Sequence, residues 1–218
     1  MIFFQQDIDE NTKLGIWQID EDENFFLSKV PLQREITHPN KSLQHLAGRY
    51  LLKYLFKDFP LELIKIADTR KPFLENEQYH FSISHCGKYA AAIVSKTERV
   101  GIDIELYSPK VEKIKHKFLS EEELEMVNGE WSMVNEGFYH LSSIIYHLTL
   151  LWSCKEAVFK WWSYGNVDFS EKIKLQPFEL QPSGDLNANF LSEKIFELKL
   201  HYQLFDDLCL VWVKTTPS

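Results

Sequence analysis

Val100-Gly101-Ile102-Asp103-Ile104-Glu105 alternates branched apolar residues with glycine and acids, the period-two pattern of a β-strand. Ile102 and Ile104 then face a core, while Gly101, Asp103 and Glu105 share the other side. Two carboxylates beside a residue without a side chain leave room for a hard cation and a ligand. Mg²⁺ takes one or two carboxylates and completes its shell with water and substrate phosphates. A solvated polar face on an edge strand has the same pattern. The strand also separates two stretches of similar content, each with a long helical pattern and a small antiparallel sheet. The expected fold class is therefore α+β, with a division at residues 1–105 and 106–218.

The 218 residues are 44% hydrophobic and 14% aromatic, enough to bury a core in one large domain or two small ones. The formal charge of −8, from 24 Lys+Arg against 32 Asp+Glu, argues against a nucleic-acid duplex as partner, although a local basic patch suffices for one small polyanion. Cys86, Cys154 and Cys209 are too scattered for a disulfide framework or a zinc knuckle and fit a reducing compartment. The start, Met1-Ile-Phe-Phe-Gln-Gln-Asp7, has no basic region and turns polar early, unlike a signal peptide. The longest apolar run, Leu141–Leu151, is interrupted by Ser142, Ser143, His147 and Thr149. These features lead us to expect a soluble cytoplasmic protein with no membrane segment.

Outward from the central strand, Ile2–Phe4, Leu14–Ile19 and Leu61–Ala67 read as strands, and Tyr79–His85 with Tyr89–Val94 as a hairpin around Cys86-Gly87-Lys88. A short helix is expected at Asp20–Phe26. Lys41–Phe59 carries Leu43, Leu46, Ala47, Tyr50, Leu51, Tyr54 and Leu55 on one helical stripe, with Arg49 off it beside the small Gly48. Downstream, Lys110–Lys117 and Glu121–Val127 look helical, the second opened by Ser120 and Glu123 as a capping box. Gly129–Phe138 reads as a loop and His140–Trp162 as one long helix. The turn Gln181-Pro-Ser-Gly184 precedes the strands Ile195–Leu204 and Leu208–Val213.

On that long helix Trp152, Glu156 and Lys160 stand at four-residue steps, hence one above another, with Lys155 beside Glu156. An ordinary Glu–Lys helix pair has the same spacing. Taken with the strand acids, however, the segment carries a resemblance. Gly101-Ile-Asp-Ile-Glu105 followed by Trp152-Ser-Cys-Lys-Glu-Ala157 and Lys160 resembles the paired signature of 4′-phosphopantetheinyl transferases of the Sfp type. Ala47-Gly48-Arg49, Arg70-Lys71-Pro72-Phe73, Phe81-Ser-Ile-Ser-His85 and Phe118-Leu-Ser-Glu-Glu-Glu123 are similar to the family's other blocks, in the same order. The likeness spans roughly Arg34 to Lys160.

The resemblance implies an enzyme that transfers the phosphopantetheine arm of coenzyme A to a serine of an apo acyl or peptidyl carrier protein, releasing 3′,5′-ADP. It implies a fold of two similar halves with the site between them, the first half being the coenzyme A side. Asp103, Glu105 and Glu156 would hold Mg²⁺, and Lys160 with Lys155 would neutralise phosphate oxygens. Glu156 also matches the proposed general base, but a ligand loses basicity on coordination. Ser84 and His85 would reach the pyrophosphate or 3′-phosphate, and Arg49, Arg70, Lys71 and Arg34 the nucleotide phosphates. The bland readings are a histidine satisfied by a carbonyl and plain surface charge. Trp152 is expected to pack and to position its helix.

The sequence departs from the family in three places. Thr69 precedes Arg70 where glycine is usual, Ser82 replaces an asparagine, and Trp161, Trp162 and Tyr164 stand where small residues are common. The aromatics are expected on the approach of the carrier or the pantetheine arm. A monomer is expected. Two other functions share the residues: a coenzyme A or carrier-binding module without turnover, and a Mg²⁺-dependent nucleotide pyrophosphatase. Three metal carboxylates favour the transferase over the module. The pyrophosphatase gains nothing from a carrier-binding groove.

Overall fold

The computed structural model describes residues 1–31, 36–128 and 143–216. It is α+β, as expected, and divides into two compact units, residues 1–104 with the C-terminal segment from Lys214, and residues 105–213.

In the first unit, β1 (Ile2–Asp7), β2 (Thr12–Gln18), β5 (His80–Cys86) and β6 (Tyr89–Ser95) form an antiparallel sheet in the order β1-β2-β6-β5. A short ribbon pairs β3 (Ile64–Ile66) with β4 (Pro72–Leu74). Helix α1 (Glu23–Leu27) starts where Asp22 accepts a hydrogen bond from the Phe25 N–H. Helix α2 (Pro39–Leu55) begins two residues before the expected Lys41, because Pro39 is preorganised for a first turn. It ends at Leu55, earlier than expected, where Phe56 turns extended. Leu46, Ala47, Leu51, Leu52 and Leu55 of α2 pack with Trp17, Phe81, Ala90, Ala92 and Val94 of the sheet. The expected strand at Leu61–Ala67 is in part a 3₁₀ turn, Leu61–Leu63, leaving only Ile64–Ile66 extended.

Strand β7 (Arg99–Leu106) carries the chain across the division. In the second unit the expected helix at 110–117 is α3 (Lys110–Ile114) followed by a 3₁₀ turn, and α4 spans Glu121–Asn128. Helix α5 is Ser143–Trp162. The expected loop 129–138 and the first residues of the expected helix at 140 lie outside the described residues, as does Arg34. After α6 (Phe169–Lys172) come β8 (Ile173–Leu175), β9 (Ser183–Leu191), β10 (Ile195–Leu204) and β11 (Leu208–Thr215), neighbours in that order and antiparallel. Leu148, Leu151, Cys154, Ala157 and Trp161 of α5 pack against Leu186, Phe190, Leu200, Tyr202 and Val211. Among the described residues no helix is long and apolar enough to cross a membrane.

Candidate active site

Strand β7 does not present a solvated acidic face. Asp103 is only 2% exposed, and the Ser84 hydroxyl donates to its Oδ1 at 2.8 Å. One step along, the Ile102 N–H donates to Ser82 Oγ at 3.2 Å. Ser82 and Ser84 lie on one face of β5 because strand side chains alternate, and both bind β7 residues. Ile83 and His85 lie on the other face, the one α2 covers, where Ile83 touches Gly48. Ser84 is buried and His85 exposed. The two adjacent residues, both expected to reach the pyrophosphate or the 3′-phosphate, therefore look in opposite directions. Ser84 already serves a carboxylate.

Glu105 is half-buried and accepts a hydrogen bond from Trp152 Nε1 at 3.2 Å. The indole is fixed in turn by edge contact with Phe118, centroids 5.2 Å apart, and by Phe169 at 5.8 Å. So Trp152 packs, as expected, and it also grips an acid. Glu156 and Lys160 follow Trp152 at four-residue steps on α5, and all three are half-buried. Hydroxyl and indole donors orient a carboxylate without removing its charge. Asp103 and Glu105 thus remain acceptors of the hard oxygen type that Mg²⁺ prefers.

Lys155 lies elsewhere. Its side chain is fully buried, and its ammonium donates to both carboxylate oxygens of Glu123 at 2.8 Å, to the Phe169 carbonyl at 3.2 Å and to the Ile173 carbonyl. An ammonium has three N–H bonds, and these acceptors occupy them. Burial pulls its pKa below the usual lysine value against the opposing pull of Glu123. The phosphate-neutralising role expected for Lys155 does not suit this environment. Consecutive helix residues point about 100° apart, so adjacency to Glu156 in the chain puts Lys155 on a different face.

Glu123 was visible only as a cap. The capping box forms, with the Ser120 N–H on Glu123 Oε2 at 2.8 Å and the Glu123 N–H on Ser120 Oγ at 3.4 Å. The same carboxylate also accepts from the Leu175 N–H at 2.8 Å, so it ties α4, α5 and β8 together. The signal for it was that Lys155 shares its helical stripe with Leu148, Leu151 and Val158, all buried. A lysine on a core stripe requires a buried acid.

Arg49, expected off the apolar stripe of α2, is 5% exposed, because the buried face extends to Gly48, Arg49 and Leu52. Arg70 is exposed and Lys71 half-buried. Arg70 has φ 65°, the left-handed conformation that glycine adopts at least cost. Arg70 thus takes a backbone conformation that suits glycine, one residue after Thr69, where glycine was expected. Trp161, expected on the carrier's approach, is a core residue, 2% exposed and stacked edge-on against Phe196 at 5.4 Å. Tyr164 is 65% exposed. Among the described residues no three His, Cys, Asp or Glu side chains are gathered as a ready-made metal site.

The family model described as the 4′-phosphopantetheinyl transferase superfamily matches residues 99–211. Among curated relatives, enterobactin synthase component D of Salmonella typhi is 27% identical over 157 residues, 70% of this chain and 58% of that protein. The protein of the same name from Escherichia coli K12 is 35% identical over 79 residues, 35% of this chain and 37% of the relative. That of Shigella flexneri is 34% identical over the same length. The chain thus spans 58% and 37% of the length of the first two.

Proposed function

The chain belongs to the 4′-phosphopantetheinyl transferase superfamily, and from that premise we propose that it transfers the phosphopantetheine arm of coenzyme A to a serine of an apo acyl or peptidyl carrier protein, in the manner of the Sfp type. The serine oxygen bonds to the β-phosphorus of coenzyme A, the bond to the 3′,5′-ADP oxygen breaks, and the serine proton leaves to a base. Catalysis of such a step rests on positioning and charge neutralisation.

The observation that carries this reading is the state of the acids inside the matched segment. Asp103 and Glu105 are alternate residues of β7, and each carboxylate is held by a neutral donor, Ser84 or Trp152. Asp103, Glu105 and Glu156 would hold Mg²⁺, which when bound neutralises charge on the pyrophosphate oxygens. One or two protein carboxylates suffice, since water and substrate oxygens complete the shell. Lys160 would act as a point charge on a phosphate oxygen. Glu156 would take the serine proton when it is not a ligand. Arg49, Lys71, Arg70 and His85 remain the candidates for the nucleotide phosphates, while Ser84 acts through Asp103. The substrates suggest the cytoplasm, and one chain holds all the named residues.

The test is intact-protein mass spectrometry on a panel of apo carrier proteins incubated with this protein, Mg²⁺ and coenzyme A. A gain of one phosphopantetheine group that EDTA suppresses is expected. No gain on any carrier, with coenzyme A binding intact by calorimetry, would leave a binding module instead.

A further inference from the structure

The first unit carries a second feature that the transfer reaction does not use. A cleft of about 830 Å³ is lined by Lys13, Lys29, Lys53, Lys57 and Lys96, with Glu10 and Asp58 as the only acids of its lining among the described residues. Five of the chain's 24 basic residues converge there, on a protein whose net charge is −8. Lys13 pairs with Asp7 at 3.5 Å. Lys29, Lys53, Lys57 and Lys96 have no carboxylate within 4.0 Å among the described residues. Asp58 is engaged by the Tyr79 hydroxyl and also feels the charge of Lys96 from beyond that distance.

The helix end does not account for these charges. The last turn of α2 holds one lysine, Lys53, which suits the negative end of the macrodipole. The other four come from β2, from beyond α1, from beyond α2 and from beyond β6. Like charges from separate elements repel one another, and an anion relieves that repulsion. The wall is aromatic. Lys13 and Lys96 stand 5.5 and 5.2 Å from the Phe56 ring centroid, and Tyr54 leaves 40% of its surface exposed. Tyr54 is braced by Trp17 at 5.6 Å and Tyr50 at 6.3 Å, so its ring is held ready for stacking.

We propose that this cleft binds a nucleotide, its phosphates on the lysines and its base on Tyr54. The cleft includes Lys96, beyond the far end of β6 from the β5–β6 turn that follows His85, although Arg49 directly precedes the lining Tyr50 on α2. The first turns of α2 lie by the β5–β6 turn, where Gln44 Nε2 donates to the Gly87 carbonyl at 2.8 Å. The cleft uses the last turns of the same 17-residue helix, which at about 1.5 Å per residue is about 25 Å long. A macromolecular acid is the competing occupant, but a braced, exposed tyrosine beside phosphate-sized charges suits a flat base better.

ATP is the probe, titrated by calorimetry into the whole protein without carrier and with one molar equivalent of coenzyme A to fill the transfer site. The expected result is one saturable site that weakens from about 50 to about 300 mM salt, as exposed charges are screened. The surface variant Lys53→Glu/Lys57→Glu should lose at least about tenfold in ATP affinity while coenzyme A binding stays unchanged. Tyr54→Ala should weaken ATP more than inorganic triphosphate. No ATP site in the wild type, or undiminished ATP binding in the double variant, overturns the proposal. Undiminished ATP binding with a raised KM for a carrier protein would overturn it in favour of a docking surface for acidic protein. Equal weakening of ATP and triphosphate by Tyr54→Ala would overturn the stacking assignment. Apart from the carrier KM, none of these outcomes depends on whether transfer is observed.

Discussion

At Lys155 two charges sit in the core of the second unit, and the balance between desolvation and pairing decides what each is worth. Breaking a buried pair by removing one partner typically costs about 3–5 kcal/mol, because the survivor is left charged and uncompensated. Lys155→Met should cost about that much in urea unfolding, and Glu123→Ala more, since Glu123 also accepts from the Ser120 and Leu175 N–H groups. The double variant Lys155→Met/Glu123→Gln should recover part of the loss. Strictly additive single losses would remove the case for a coupled pair. The neutral donors at the transfer site call for a different readout. Ser84→Ala and Trp152→Phe each delete one hydrogen bond to an acid and keep the packing. Both should raise the Mg²⁺ concentration for half-maximal activity severalfold and leave the KM for coenzyme A nearly unchanged. A selective rise in that KM would return Ser84 to direct phosphate contact. At this scale the sequence told which residue types were needed but not which way they point: Ser84 and His85 are neighbours in the chain on opposite faces of one strand.

Helix α2 and strand β5 approach so closely that a Cβ built on Gly48 would lie 2.7 Å from Ile83 Cγ2. Gly48→Ala therefore meets two opposing effects. Alanine gains up to about 1 kcal/mol of helix propensity, while overpacking a filled core costs about 1–3 kcal/mol. The clash is with a β-branched side chain on a strand, which has little freedom to move aside, so the net change should be destabilising by about 1 kcal/mol. Ile83→Ala would cost stability alone, yet Gly48→Ala should become neutral or favourable in that background. A Gly48→Ala that raises the denaturation midpoint would show that the helix moves away freely. Gly48 has no side chain, which is what lets the helix and the strand approach this closely. The elements with strong periodicity, α2, α5, the β5–β6 hairpin and the β10–β11 pair, were legible for the same reason: their apolar residues recur at the period of the element. Strand β9 was not recognised, although Leu186, Ala188 and Phe190 alternate inward, because Asn187 and Asn189 between them carry turn propensity that pairing with β10 overrides. The strand expected at Leu61–Ala67 was too long, since its first residues form a 3₁₀ turn after Pro60.

On the scale of the whole molecule, the C-terminal end of β11 belongs to the first unit, and one lysine fastens it there. Lys214 Nζ lies 2.7 Å from Asp9 Oδ2 and 2.6 Å from Glu98 Oε2. Asp9 is 205 residues away in sequence, a separation at which no local pattern can announce a pair. This is why a simple division at residue 105 did not anticipate the returning segment. Partial burial works against ionisation of Asp9, but the Lys214 hydrogen bond and charge outweigh it and leave its pKa below 3.8. Burial likewise opposes the charged form of Lys214, and its two carboxylate partners outweigh that and hold the pKa above 10.5. The sign follows from linkage. The contribution of Asp9 is complete above its unfolded value near 3.8 and is lost as pH falls through the lower folded value. That of Lys214 is complete below 10.5 and is lost as pH rises through the higher folded value. The side chains are 25%, 34% and 19% exposed for Lys214, Asp9 and Glu98, so screening keeps the network modest. A total of about 1 kcal/mol corresponds to roughly 2–4 °C in Tm for a chain of this size. Lys214→Ala should therefore melt lower than the wild type by that margin on a plateau between about pH 5 and pH 9. The gap should narrow once the pH falls below 3.8 or rises above 10.5. Thermal melts of both proteins across that range measure it directly. A gap of constant size down to the acid limit would mean that Lys214 acts through the packing of its methylene stem rather than through its charge.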